Sequence, residues 1–584
     1  RHGAISQQTV FYVAGPAQAG ADSRCHWSTT MIRLPLIATL LLGTVALRAH
    51  AAPAFCPPIP PPYPISVGDT TSDANCDFDS IQAAIDSLGT CPATIALSNE
   101  ITYADQHIQI TDKSITLLGL AAGVTCPGPT NNGLTHIVAF EPSSPVVTLD
   151  GGGEGGPVLS ISGNSHVTLQ YLIIQSGRSV DGRSGGGIVF DGSGALSLDT
   201  STVANNFAGY NGGGIAMFAA GGHTDLSIGK RTSIYGNAAK NNGGGIYLNG
   251  DVHLTMVANQ SAIYDNQALG ATQPTQGYGG GIFMAGGRAD IGAPGVPGCG
   301  QAFCPAHAAL DENIANKGGG IYLTGGSQGD AVAVLFTTDP VRPTSFHHNI
   351  ANAGTGHGGG AFWAQANYFY ASNASLCLFN VNASDNLAPD GSIGEARDAG
   401  LFINADPEGV CDQAAIRALG ALDCAPTGNC NTYSGNVANA TDGTLLYTTG
   451  ALAANRFALR NNDAGIGWAI YADNPTPPQA LQLSAGGQPV RVGQCHRFQR
   501  DHAGARQPCH RRLHLRQQHA WRQLFLQAIC RKRPNRAHDI ASDALHRCRQ
   551  RQRSECGHRH LPHRLAASRL QLPQRPDHGR QRQR

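Results

Sequence analysis

The sequence predicts an all-β chain wound into a parallel β-solenoid behind a short N-terminal capping helix. Three observations carry that prediction. Gly-Gly-Gly followed by Ile or Ala occurs six times, ending at Ile188, Ile215, Ile246, Ile282, Ile321 and Ala361. An apolar residue followed by x-x-Asn-x-Ala recurs in one register, with asparagines at Asn206, Asn237, Asn266, Asn313, Asn349, Asn386, Asn436 and Asn462. Between these elements lie short strand-like pieces such as Gly-Ile-Tyr-Leu and Val-Thr-Leu-Gln, with no sustained 3.6-residue apolar period.

The repeat sets the architecture. Asn-to-Asn spacings of 31, 29, 47, 36, 37, 50 and 26 residues mark one coil each, with the variation taken up in loops. A single coil leaves both strand edges unpaired, and stacking on the next coil at about 4.8 Å satisfies them. An asparagine at an equivalent turn in every coil can stack into a hydrogen-bonded ladder. The residues three before each asparagine are Val203, Ile234, Ile263, Leu310, Phe346, Ala383, Tyr433 and Leu459, so eight matches share one register. Looser glycine elements follow at Ala399-Gly400-Leu401, Gly443-Thr444-Leu445-Leu446 and Gly465 to Ile470.

Upstream of the repeats, Ser80 to Asp86 reads as one amphipathic helix fit to close the end of the core. Strand-like runs follow at Thr94–Leu97, Ile108–Ile110 and Ser114–Gly119. The helix and these runs resemble right-handed parallel β-helix proteins of the pectin-lyase-like superfamily. The paired elements are similar to the repeats of polymorphic outer membrane proteins, which carry Phe-x-x-Asn and Gly-Gly-Ala-Ile. Phe346-His347-His348-Asn349 matches the first of these literally. The resemblance spans about residues 65 to 475 and implies a right-handed parallel β-helix. It leaves function open, because lyases, hydrolases, adhesins and passenger domains share the scaffold.

The chain ends read differently. Of 584 residues, 40 are basic and 39 acidic, yet the charges are segregated. Residues 31 to 490 hold 15 basic and 33 acidic side chains, whereas 491 to 584 hold 23 and 5. Met31, Arg33, the short apolar run after it and Ala49-His50-Ala51 form a secretory signal at 31–51, so export is expected. Residues 1–30 read as non-native upstream translation, and 52–64 as a Pro-rich linker before a β-helix at 65–490. The tail at 491–584 is Arg-, His- and Gln-rich. Shifted by one nucleotide, codons for Gly504 to His510 permit Val, any, Gly, Asn, any, Ala and Thr, the vocabulary of the repeat. The tail therefore reads as frameshifted and disordered. The functional alternative is a genuine basic arm for nucleic acid or another polyanion.

Ten cysteines lie between Cys56 and Cys430, an even number that favours structural disulfides in an exported chain. Cys299/Cys304 and Cys424/Cys430 are near enough for local staples, with Cys76/Cys91 and Cys377/Cys411 as further pairings. No metal site and no cofactor are expected. Asp69, Asp73, Asp77 and Asp79 are crowded but lack the Gly and distal Glu of a calcium loop, and Asp406 with Glu408 is weaker still. Polysaccharide-cleaving β-helices use clustered carboxylates. Here no Asp-Asp, Asn-Thr-Asp or Arg-Ile-Lys occurs, and Gly356-His357-Gly358 merely abuts a glycine triplet. Nucleophile elbows, phosphate loops and zinc spacings are missing too, so catalytic residues are unassigned.

One pattern points outward. An aromatic residue follows the Ile position at Tyr247, Phe283, Tyr322, Phe362, Phe402, Tyr447 and Tyr471. Strand alternation predicts a stripe of rings on the outer face, thickened by Trp363 and by Tyr368-Phe369-Tyr370. Such a stripe either binds sugar faces or a protein partner, or ties coils together by stacking. The expected function is a non-catalytic adhesive or structural role for an exported monomer that meets a glycan or a cell-surface protein. The rival is a polysaccharide lyase or glycoside hydrolase. No transmembrane helix is expected, and no nucleic acid unless the tail is genuine.

Overall fold

The computed structural model describes residues 65–473, apart from short stretches of which 127–143, 294–307 and 423–430 are the longest, and residues 492–495. The signal, linker and upstream expectations, and all but four residues of the tail, lie outside the described residues. The described chain is a parallel β-helix. Nearly every strand pairs with the equivalent strand one coil away, and every paired strand register is parallel.

Each coil contributes to ladders that run the length of the stack. The first begins Ile108–Thr111, continues through Leu159–Gln170, Ile188–Asp199, Ile215–Ile228, Ile246–Asn249, Ile282–Ala285, Ile321–Thr324, Phe362–Gln365, Gly394–Arg397 and Leu446–Thr448, and reaches Ile470–Asp473. The second follows it in each coil, as in Val252–Val257, Ala331–Phe336, Ala374–Phe379 and Gly400–Ile403. Early coils fuse the two into single strands of 12 to 14 residues. Later coils break at a bend such as Gly250, whose φ of +95° only glycine adopts without strain. A third ladder of ten strands runs from Val147–Asp150 to Phe457–Arg460. Strand Val492–Cys495 pairs with Ile470–Asp473, so pairing extends past residue 490, where the sequence alone placed the end of the β-helix.

Alternation builds the core. Strands read buried then half-buried, as in Ile246–Asn249 and Val252–Val257, and their buried rows merge into one cluster from Val67 to Ile470. The helix α1, Ile81–Ser87, closes one end. Ser80 caps it by accepting from the Ala83 N–H, and its buried face of Ile81, Ala84 and Ile85 joins the core beside Ile65–Val67 and Ile108–Thr111.

The asparagines form one column. Asn206 Nδ2 donates to Asn237 Oδ1 at 3.0 Å, and the same bond repeats through Asn266, Asn313, Asn349, Asn386, Asn436 and Asn462 at 2.9–3.0 Å. Each amide also donates to a strand carbonyl, as Asn313 does to Ile263 O at 2.8 Å. The residue just before the column turns left-handed in seven coils: Asn205, Gly236, Asp265, Glu312, His348, Asp385 and Gly435. The column fixes that turn so firmly that non-glycine residues accept the strained backbone.

The glycine triplet has three separate causes, visible at Gly243-Gly244-Gly245. Gly243 has φ +66°. A Cβ on Gly244 would lie 2.5 Å from Gly280 O, and one on Gly245 2.7 Å from Gly281 O and 3.1 Å from the Asn266 amide. Packing of the next coil, more than conformational freedom, forbids side chains at the last two.

Two disulfides join described cysteines. Cys377–Cys411 forms as the spacing suggested. Cys76 instead bonds Cys126, 50 residues on, and Cys91 is disulfide-bonded elsewhere, which corrects the Cys76/Cys91 pairing. The coil brings residue 126 back beside residue 76, a proximity that sequence spacing does not register. Cys299/Cys304 and Cys424/Cys430 lie outside the described residues.

Candidate functional site

The outer row of the first ladder runs Val189, Ala216, Tyr247, Phe283, Tyr322, Trp363, Glu395, Tyr447 and Tyr471. Tyr247 stacks on Phe283 with ring centroids 5.1 Å apart, Phe283 on Tyr322 at 5.3 Å, Tyr322 on Trp363 at 6.1 Å, and Tyr447 on Tyr471 at 5.1 Å, all within 9° of parallel. Two members of the expected stripe stand elsewhere. Phe362 pairs with Ile321 and points into the core, because Ala361 stands between an intact Gly358-Gly359-Gly360 and the strand and slips the coil by one residue. A one-residue slip exchanges the faces of a strand, so Trp363 takes the outer position. The Phe362 ring fills the room left by Gly394 on the next coil, where a Cβ would lie 2.2 Å from its tip. Phe402 belongs to the second ladder opposite Cys377, since the first-ladder strand of that coil is Gly394–Arg397 and not the stretch at 399–401.

The stripe is largely covered. Phe283, Tyr322 and Trp363 are buried, with Tyr278 stacked on Tyr322 at 4.6 Å. Lys317 Nζ sits 4.4 Å from the Trp363 centroid. Phe402 is covered as well: with Phe336, Cys377, Phe379 and Cys411 it packs under Ile416 of a second helix, α2, Gln413–Ala418. Asp406 accepts from the Cys411 and Gln413 N–H groups and so holds the approach to α2, while Glu408 lies outside the described residues. The N-terminal aspartates similarly tie loop backbone: Asp77 accepts from Ser66 N, Asp79 from Thr70 N, Asp69 from Thr71 N and Asp73 from Asn75 N.

Glu395 interrupts the rings. It is fully buried, takes Arg397 Nε at 2.6 Å and the Ser392 hydroxyl at 3.0 Å. The Arg397 guanidinium spans the gap, 4.8 Å from the Trp363 centroid and 6.0 Å from Tyr447. Burial pushes the Glu395 carboxyl above the usual carboxylate range, against the pull of Arg397, and burial likewise lowers Lys317. A carboxyl that holds its proton more tightly when folded stabilises the fold fully below its unfolded range and loses that contribution as pH rises through its folded value. The native chain should therefore lose more urea stability than Glu395→Gln as pH rises above the ordinary carboxylate range. Equal slopes in the two proteins would refute the assignment.

Against known family models, curated proteins and solved structures, the chain matches none.

Among the described residues, three adjacent aromatic side chains stand together in water. After Phe362–Gln365 the chain makes a tight turn closed by an Asn367–Ser372 bridge, and Tyr368, Phe369 and Tyr370 stand on it with exposures of 74%, 86% and 49%. The turn is built to hold them there. Asn367 Oδ1 accepts from the Phe369 and Tyr370 N–H groups, Asn367 Nδ2 donates to Gly325 O at 2.9 Å, and the Tyr368 hydroxyl bonds Asp398. The rings on the coil face thus tie coils together, while those on the turn meet solvent.

A second group went unnoticed in the sequence. His223 and Asp225 alternate onto the outer face of Ile215–Ile228, and His253 stands in register with Asp225 on the next coil. His223 Nε2 lies 3.2 Å and His253 Nδ1 3.8 Å from Asp225 Oδ1. Asp251 and Asp290 hold the other ring nitrogens, at 3.1 and 2.9 Å. The one available signal was a His-x-Asp on a strand with a histidine one coil later. Among the described residues, no helix is long and apolar enough to cross a membrane.

Proposed function

We propose that this chain is an exported, disulfide-stapled β-helix of the pectin-lyase-like kind, acting without catalysis as a surface or adhesive protein that meets glycans through the turn at Tyr368–Tyr370. The observation that carries the reading is the exposure of three adjacent rings, Phe369 most of all, on a turn braced by Asn367. Exposed large apolar side chains held in place are costly to solubility and characteristic of contact surfaces. Tyrosine and phenylalanine present flat apolar faces to the C–H faces of sugar rings, and the tyrosine hydroxyls add hydrogen bonds at the edge. Disulfides support an oxidising destination, consistent with the signal at 31–51.

The test is the triple variant Tyr368→Ser, Phe369→Ser, Tyr370→Ser, compared with the native chain on a glycan panel and on whole cells. Binding should fall at least about tenfold, the scale of two or three lost ring contacts, while the thermal midpoint stays put, because the rings are exposed. Phe362→Ser is unsuited to this purpose, since that ring fills the core. Retention of glycan and cell binding by the folded triple variant would defeat the proposal. Loss of viscosity in acidic glycans, removed by replacing Asp residues, would replace it with a lyase or hydrolase.

A further inference from the structure

We infer that His223, Asp225 and His253 form a binding site for a divalent transition-metal ion of the zinc class, spanning two adjacent coils. Each residue offers one ligand atom, and those atoms lie within 4.8 Å of one another. A tetrahedral zinc ion with ligands at about 2.0–2.1 Å sets them about 3.4 Å apart. The two distances to Asp225 Oδ1, 3.2 and 3.8 Å, bracket that edge. Two imidazoles and one carboxylate suit zinc, copper, iron or nickel far better than calcium or magnesium, which take oxygen ligands.

The outer contacts separate this cluster from an ordinary set of surface ion pairs. A metal-binding histidine typically donates its second N–H to a carboxylate, which fixes the tautomer and aims the other nitrogen. Both histidines here have that partner: Asp251 on His223 Nδ1 and Asp290 on His253 Nε2. Asp290 is itself buried and also meets Arg288 at 2.8 Å, which fixes its position against His253. Each ring therefore has one nitrogen occupied and one turned toward Asp225. The similar group of Asp311, His347 and His348 has this outer contact on one ring only: Asp385 lies 3.5 Å from His347 Nε2, while among the described residues no carboxylate pairs with the second nitrogen of His348. Near Asp73, Cys76 and Cys126 are bonded to each other and offer no thiolate.

The site is open to solvent, with His223 half-exposed, so a water would complete the coordination of the ion. Its backbone frame is rigid, because strand pairing sets Asp225 opposite His253 and His253 opposite Arg288. An ion there would add a cross-link between coils to the backbone and asparagine hydrogen bonds that already join them.

The experiment is a Co²⁺ absorption titration of the full chain, with Zn²⁺ competition, beside the single variants His223→Ala, His253→Ala and Asp290→Asn. The chain has 23 histidines, so the readout is the difference between proteins. The native chain should show a tetrahedral cobalt band that Zn²⁺ abolishes. Each histidine variant should lose that band and one metal equivalent, with unchanged circular dichroism before metal is added. Asp290→Asn should keep the band while binding about 10–100-fold more weakly, as expected for a residue that positions a ligand. His223 is surface-exposed, so its variant remains informative if His253→Ala misfolds. A native chain with no such band, or a band that survives in His223→Ala, overturns the inference. So does a band lost instead in His347→Ala.

Discussion

Asn313→Ala should lower the stability of the β-helix by about 4 kcal/mol, because it strands buried backbone groups on a neighbouring coil. The Asn313 side chain accepts from the Asn266 N–H at 3.2 Å and from its amide at 3.0 Å, and donates to Ile263 O at 2.8 Å and Asn349 Oδ1 at 3.0 Å. All of these are buried, so water cannot replace what is lost. Coils contact only their neighbours, so a defect in the middle of the column also uncouples the two sides. The single urea transition is expected to split in two, with one part shifted to lower denaturant. Asn462→Ala at the half-buried end of the column is the control, at about 1–2 kcal/mol. A midpoint shift for Asn313→Ala no larger than for the control would mean the column follows the fold rather than supports it.

Gly280→Ala is expected to be as damaging for a different reason. Its Cβ would lie 2.5 Å from Gly319 O and 2.7 Å from both Ile314 N and Ile314 O. All three obstacles are backbone, so no side chain can swing away, and the coils must spread beyond the roughly 4.8 Å that their hydrogen bonds require. The cost should exceed about 3 kcal/mol, the upper end of ordinary overpacking, and the variant should accumulate poorly as folded protein. Gly89→Ala, where nothing lies within 4 Å, should behave as the native chain does. Normal yield and an unchanged midpoint for Gly280→Ala would show that the coils move apart more easily than this packing implies.

What the sequence made legible was whatever repeats with the coil. Stacking forces the same residue type into the same place, so glycine triplets and asparagines announce the ladders, and the parallel β-helix could be read directly. What failed was local register. Ala361 stands between an intact Gly358-Gly359-Gly360 and the strand, and with that one-residue slip Phe362 enters the core and Trp363 leaves it. A glycine at 400 imitates the triplet, while the true strand starts at Gly394. Neither event changes composition, and each reverses which face a ring occupies. Contacts across coils were less legible still. Cys76 with Cys126 and His253 with Asp225 are adjacent only after winding.

The Cys377–Cys411 bond has a mechanical meaning. Strands that lie across the stacking direction are peeled, not sheared, when the two ends of such a stack are pulled apart. Their hydrogen bonds fail a coil at a time, and each failure releases a few dozen residues of slack. Between Cys377 and Cys411 that slack is withheld: tension passes through the sulfur bridge and bypasses the stretch between two cysteines 34 positions apart. The strand carrying Glu395 lies inside that bypass, and Trp363 and the turn at 368–370 lie just before it. Under load, the enclosed strand would keep its length while coils elsewhere in the stack paid out theirs.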